Sequence, residues 1–237
     1  AQACLLPAQD GSLLWVDATA PTDEELARLA EAFQLHPLAI EDARKGRQRA
    51  KVDPYETHYF IVLKAFRFHA HNSHVDTEEL DIFLGANYLI TVHQRPLPEL
   101  EETRRRWEAG KLHHPTAAFL FYLVADSVVD SLFPITDRIG EIVDELDEQL
   151  FALPVRGVLR NIFTLRRSLL EIRKALGPMR DVFNELIRED EDGALLPDPA
   201  QTRVYFNDVF DHILRITDFI DTYRDMLSSS LDAYQSA

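Results

Sequence analysis

The chain has 237 residues, 46% of them hydrophobic and 27% charged, which excludes a disordered polymer and leaves enough apolar side chain for one or two sizeable cores. A formal net charge of −15 repels phosphate backbones, so no nucleic acid is expected as a partner, whereas cations and basic surfaces are. The single cysteine, Cys4, excludes an internal disulfide framework and any cysteine-cluster zinc site.

The first half reads as mixed α and β. Leu13 to Asp17 is a short strand. Thr22 with Glu25 three residues on makes a capping box for a helix with Leu26, Leu29, Ala30 and Phe33 at helical spacing. Pro37 opens a short helix, Leu38 to Arg44, that stops near Gly46. His58 to Phe68 is rich in Val, Ile, Tyr and Phe and reads as a strand. Leu80–Leu84 and Tyr88–Val92 flank Gly85-Ala86-Asn87 as a hairpin. Pro98 to Ala109 is a charged, exposed helix. The second half is wholly helical. One helix runs from Phe121 to Leu146 with a kink at Pro134, and a second from about Val155 to Leu186 with a bend at Gly177-Pro178. Glu189 to Pro199 is an acidic loop. A last helix carries the seam Phe206, Phe210, Ile213, Thr217, Ile220, Arg224, Leu227, Leu231 and Tyr234, in alternating steps of four and three. The expected fold class is therefore α+β: an αβα domain with a small mixed sheet over 1–113, an antiparallel helix pair over 114–196, and a long stalk helix over 197–237. The longest stretch without Asp, Glu, Lys or Arg, Leu112 to Ala125, has 14 residues. A spanning helix needs about 20, so the chain as it stands reads as soluble. Its abrupt start and its end inside a helical pattern read as a piece of something longer.

Enzyme signatures are absent: no glycine-rich phosphate loop, no G-x-S-x-G elbow and no H-E-x-x-H pair. Carboxylates are the conspicuous chemistry. Glu41-Asp42 sits on the short helix. A row of Asp126, Asp130, Asp137, Glu141, Asp144 and Glu148 lies on the first long helix, and Asp211, Asp218, Asp225 and Asp232 repeat every seven residues beside Asp208 and Asp221 on the last. Such oxygen ligands suit hard cations such as Mg²⁺, although acidic rows are also the ordinary solvated faces of amphipathic helices. His69, His71 and His74 form H-x-H-x-x-H at a strand end, either a transition-metal cluster or solvated loop histidines. The basic run Arg44, Lys45, Arg47, Arg49 and Lys51 reads as a salt-bridging surface.

Several blocks together carry a resemblance: His36-Pro37-Leu38-Ala39-Ile40-Glu41-Asp42, Gln48-Arg49-Ala50-Lys51, Tyr59 to Lys64, Ala125 to Asp130, Tyr205 to His212, and Tyr223-Arg224-Asp225-Met226. In that order they resemble the cytoplasmic domain of CorA-type magnesium channels, a family that usually has Pro where Ala50 stands. The resemblance implies a homopentamer whose funnel comprises an αβα domain, two willow helices and a stalk continuing into the membrane, on the cytoplasmic face of the inner membrane. It also implies two transmembrane helices and a Gly-Met-Asn signature following this chain's end. Mg²⁺ between neighbouring subunits would hold the pore closed, with ligand positions matching Asp42 of one subunit and Asp208 of the next. A second, looser site would match Glu41 and Asp126, with Asp208 nearby. A relative carrying Zn²⁺, Co²⁺ or Ni²⁺ on the same scaffold and a soluble acidic coiled-coil adaptor are the alternatives.

Overall fold

Alternation along the strands decides which side of the sheet each helix covers. In the computed structural model, which describes residues 2–4, 13–109, 116–152, 156–189 and 199–236, six strands form one sheet in the order β1-β2-β6-β5-β4-β3. These are β1 (Gln2–Cys4), β2 (Leu14–Thr19), β3 (Lys51–Pro54), β4 (His58–His69), β5 (His74–Gly85) and β6 (Tyr88–His93). The β2–β6 pair is parallel and every other pair antiparallel, so the sheet is mixed, as expected. Cys4 lies in β1 opposite Trp15.

Val16, Phe60, Val62, Phe83, Ile90 and Val92 turn to one face, under α1 (Asp23–Phe33) and α2 (Pro37–Lys45). Trp15, Ile61, Leu63, Leu80, Ile82 and Leu89 turn to the other, where they join the core of the remaining helices. The two layers of helix on one sheet follow from this period of two. The capping box forms: the Glu25 N–H donates to Thr22 Oγ1 (3.2 Å) and the Thr22 N–H to Glu25 Oε2 (2.8 Å). Helix α2 starts with Pro37 at its first position and His36 Nδ1 accepting the Leu38 N–H, and ends at Gly46, whose φ of +61° favours glycine.

The hairpin β5–β6 turns through Ala86-Asn87 as read, but β5 reaches eleven residues back from Gly85 to His74 rather than starting at Leu80. The polar stretch Asp76 to Glu79 belongs to the strand because β4 supplies partners opposite it: Lys64 bonds Glu79 (2.7 Å) and His69 reaches Asp76 (3.0 Å).

Beyond the sheet come α3 (Pro98–Glu108), α4 (Ala117–Asp130), α5 (Leu132–Ala152), α6 (Arg156–Glu189) and α7 (Pro199–Ser236). The kink expected at Pro134 is a break at Ser131: proline supplies no N–H to the Asp130 carbonyl and crowds it. Helix α6 stays helical through Pro178. A window within Ala117–Leu150, of mean hydropathy 1.6, is long and apolar enough to cross a membrane, yet 61% of it is buried inside the fold, with Leu120, Phe121, Val124 and Val128 in the core. Helix α7 packs on α4, α5 and α6. Its seam is shifted from the expected one: Val209 and Ile216 are buried, whereas Phe210, Thr217 and Arg224 are only partly so. Gly140 on α5 makes room for Tyr223, since a Cβ there would stand 2.7 Å from the tyrosine Oη. His113-His114 and most of the acidic loop after Glu189 lie outside the described residues.

Candidate metal centre

The acidic face of α4 and the start of α7 meet around one point. Ligand atoms of Asp126, Asp208 and His212 lie within 4.8 Å of one another. Asp126 is set near the C-terminus of α4, its side chain 6% exposed, and Arg106 from α3 holds its Oδ2 at 2.7 Å. Asp126 Oδ1 stands 3.9 Å from His212 Nδ1. Asp130, one turn on, places Oδ1 2.9 Å from the same nitrogen. Asp208 is half exposed; its Oδ1 lies 3.9 Å from His212 Nε2, and its Oδ2 accepts from the Tyr122 hydroxyl at 3.2 Å. Phe133 meets the His212 ring edge-on, with centroids 5.4 Å apart.

The electrostatics are those of carboxylates crowded together. Burial, and then the charge of Asp126, push the Asp130 carboxyl up. Burial and the charges of Asp126 and Asp208 push the Tyr122 hydroxyl far up, so it remains a donor. Arg106 rises against its own desolvation because it bonds Asp126. A divalent cation among these groups would relieve the repulsion that Arg106 and His212 now offset in part.

Of the four expected ligands, the fold brings Asp126 and Asp208 together. Glu41 and Asp42 sit on α2, which covers the opposite face of the sheet. Glu41 pairs with Lys45 one turn on. Asp42 accepts from Lys51 Nζ (2.7 Å) and from Gln48 Nε2 (3.3 Å), and Lys51 is also shared with Asp53 (2.5 Å). Arg44, Lys45 and Lys51 thus form ion pairs, Arg44 with Asp23, as expected of a salt-bridging surface. His212 was not among the expected ligands. Its signal was the i, i+4 spacing from Asp208, which puts both on one helix face.

A mixed sheet, a long terminal helix and a carboxylate–imidazole cluster are thus combined in one chain. A family model described as CorA-like Mg2+ transporter protein matches residues 10–237, and the chain belongs to that family. A putative metal ion transporter of Bacillus subtilis, YfjQ, is 32% identical over 221 residues, covering 93% of this chain and 67% of that protein. The cobalt/magnesium transport protein CorA of Thermotoga maritima is 30% identical over 239 residues, covering 98% of this chain and 66% of that protein. The chain thus spans about two thirds of the length of these relatives. Among solved structures, the complete CorA magnesium transporter of Methanocaldococcus jannaschii superposes with a TM-score of 0.83 at 26% identity, over 98% of this chain and 72% of that one. The soluble domain of the same transporter gives 0.78 at 25% identity, over 97% and 93%. The α+β architecture is that of the CorA soluble domain.

Proposed function

We propose that this chain is the cytoplasmic, Mg²⁺-sensing part of a homopentameric CorA-like divalent-cation channel, joined to a membrane-spanning portion at the inner face of the membrane. In this reading Mg²⁺ held between Asp42 of one subunit and Asp208 of the next favours the closed pore, and Glu41 and Asp126 supply the second, looser site. The observation that carries it is the convergence of Asp126 and Asp208 where α4 meets α7, in a chain of this family. Asp208 is about half exposed and therefore accessible to a neighbour, and Lys51 keeps Asp53 as a partner when Asp42 turns to a cation. Facing carboxylates repel without an ion and are bridged by one, so occupancy shifts the population toward the bridged arrangement by its differential affinity.

The imidazole of His212 in the cluster favours a second reading, in which Zn²⁺, Co²⁺ or Ni²⁺ is the handled ion. Sedimentation and limited proteolysis with and without millimolar Mg²⁺ test the first. The parent chain is expected to associate and gain protection. Asp42→Asn and Asp208→Asn should each raise the Mg²⁺ needed by about tenfold, the equivalent of about 1.4 kcal/mol, and their combination should add little more. Identical Mg²⁺ profiles for parent and both single variants would refute the assignment.

A further inference from the structure

The motif His69-x-His71-x-x-His74 is untouched by the carboxylate cluster. It folds into the tip of the β4–β5 hairpin, where His69 and His74 are direct cross-strand partners, a position that sets their Cβ atoms roughly 5 Å apart. Asp76, two residues beyond His74, shares that face of the strand. The side chains converge on the carboxylate: His69 Nε2 lies 3.0 Å from Asp76 Oδ2, and His74 Nε2 lies 3.0 Å from Asp76 Oδ1. The two rings are nearly parallel at 14°, with centroids 6.4 Å apart. His71, in the turn, sets its ring edge-on to His69 with centroids 6.0 Å apart.

The tip is held in place. The Asn72 N–H donates to the His69 carbonyl (3.2 Å), and the His74 N–H to Asn72 Oδ1 (3.2 Å). Ser73, in the left-handed region at φ +53°, offers its carbonyl to Ser168 Oγ of α6 at 2.7 Å in a buried bond. The backbone that carries the histidines is therefore fixed from both sides, while the rings remain accessible.

We propose that His69, His74 and Asp76, with His71 as a fourth ligand, bind a borderline divalent transition-metal ion such as Zn²⁺, at a site separate from the carboxylate cluster. Imidazole nitrogens with one carboxylate are the donor set such ions select, and one that Mg²⁺ does not. Each nitrogen lies 3.0 Å from a different oxygen of the one carboxylate, so the rings must draw together to reach the ligand-to-ligand edge of about 3.3 Å implied by zinc bonds of about 2.0–2.1 Å in a tetrahedron. With the ring protons on Nδ1, each Nε2 lone pair turns to the ion, which replaces two N–H···O bonds by bonds to nitrogen and oxygen. Closing the rings around it is a side-chain movement, the strand register being already set.

Zinc titration of the chain carrying Asp208→Asn and His212→Gln in excess Mg²⁺, read by competition with a chromophoric zinc indicator, tests this with the other cluster stripped of its imidazole. One equivalent is expected to bind, weakened at least about tenfold by His69→Gln or by His74→Gln and lost in the double variant. Zinc binding that is absent, or indifferent to the hairpin substitutions, would overturn the site. Zinc-edge X-ray absorption at one equivalent gives a second readout free of any change in the hairpin: two or three imidazoles are expected, and fewer than two would also overturn it.

Discussion

Replacing Asp81 by Asn tests how the sheet tolerates a carboxyl in its core. Asp81 lies mid-strand on β5 between Val62 and Val92, only 4% exposed, and its Oδ1 has no hydrogen-bond partner among the described residues. Burial first, and then the nearby charge of Glu79, push its carboxyl up to about 8, against the pull of Lys64. An unfolded aspartate titrates near about 4, so across this window the native chain holds a proton that the unfolded chain has released. Stability from this group therefore falls as pH rises from about 4 toward 8, and levels off above. At about 1.36 kcal/mol per unit, the penalty amounts to about 4 kcal/mol at pH 7 and on the order of 5 at pH 8. Asparagine keeps the size and stays neutral. In urea denaturation between about pH 4 and about pH 8, the Asp81→Asn chain should gain several kcal/mol over the parent at the alkaline end and converge with it at the acid end. Parallel stability curves would refute the reasoning.

Two further perturbations follow from burial and pairing. Phe206, fully buried against Phe121 and Phe183, should cost about 3–5 kcal/mol on change to Ala, read as a lower denaturation midpoint; a loss under about 1 kcal/mol would mean that α7 does not anchor there. For His93, burial opposes the charged ring, but Asp17 at 2.9 Å outweighs it and the pKa is raised. Its contribution is thus fully present below about 6.5 and is lost as pH rises through the raised value. His93→Gln should be most destabilised at acid pH and approach the parent as pH rises; a constant deficit would count against the ion pair.

Periodicity made most of the scaffold legible. The capping box at Thr22, the proline start of α2 and the turn at Ala86-Asn87 are local, and each appears where its residues put it. What failed was non-local. The strand read as starting at Leu80 reaches back through Asp76 to Glu79, because β4 runs opposite and sets Lys64 across from Glu79. The α7 seam slipped because Phe210 and Val209 are both apolar, and only the position of α6 and α5 decides which is buried. Asp126 and Asp208 were legible through the resemblance, but their approach depends on how α4 and α7 cross, which no spacing states. His212 shares a helix face with Asp208 by spacing, but its approach to Asp126 depends on the same crossing. The histidine pair at the hairpin tip was visible as a motif, whereas Asp76 as its shared partner emerged only with the register.

Tyr223 in the niche over Gly140 makes the contact between α5 and α7 a notched one. Four residues either way along α5 stand Thr136 and Asp144, both carrying side chains where the tyrosine would need space. Sliding α7 along its axis by one helical turn, about 5.4 Å, would drive the ring out of its slot and onto an occupied position. Length changes transmitted along α7 are thus resisted at this level, while pivoting about the Tyr223–Gly140 contact leaves the tooth in its notch.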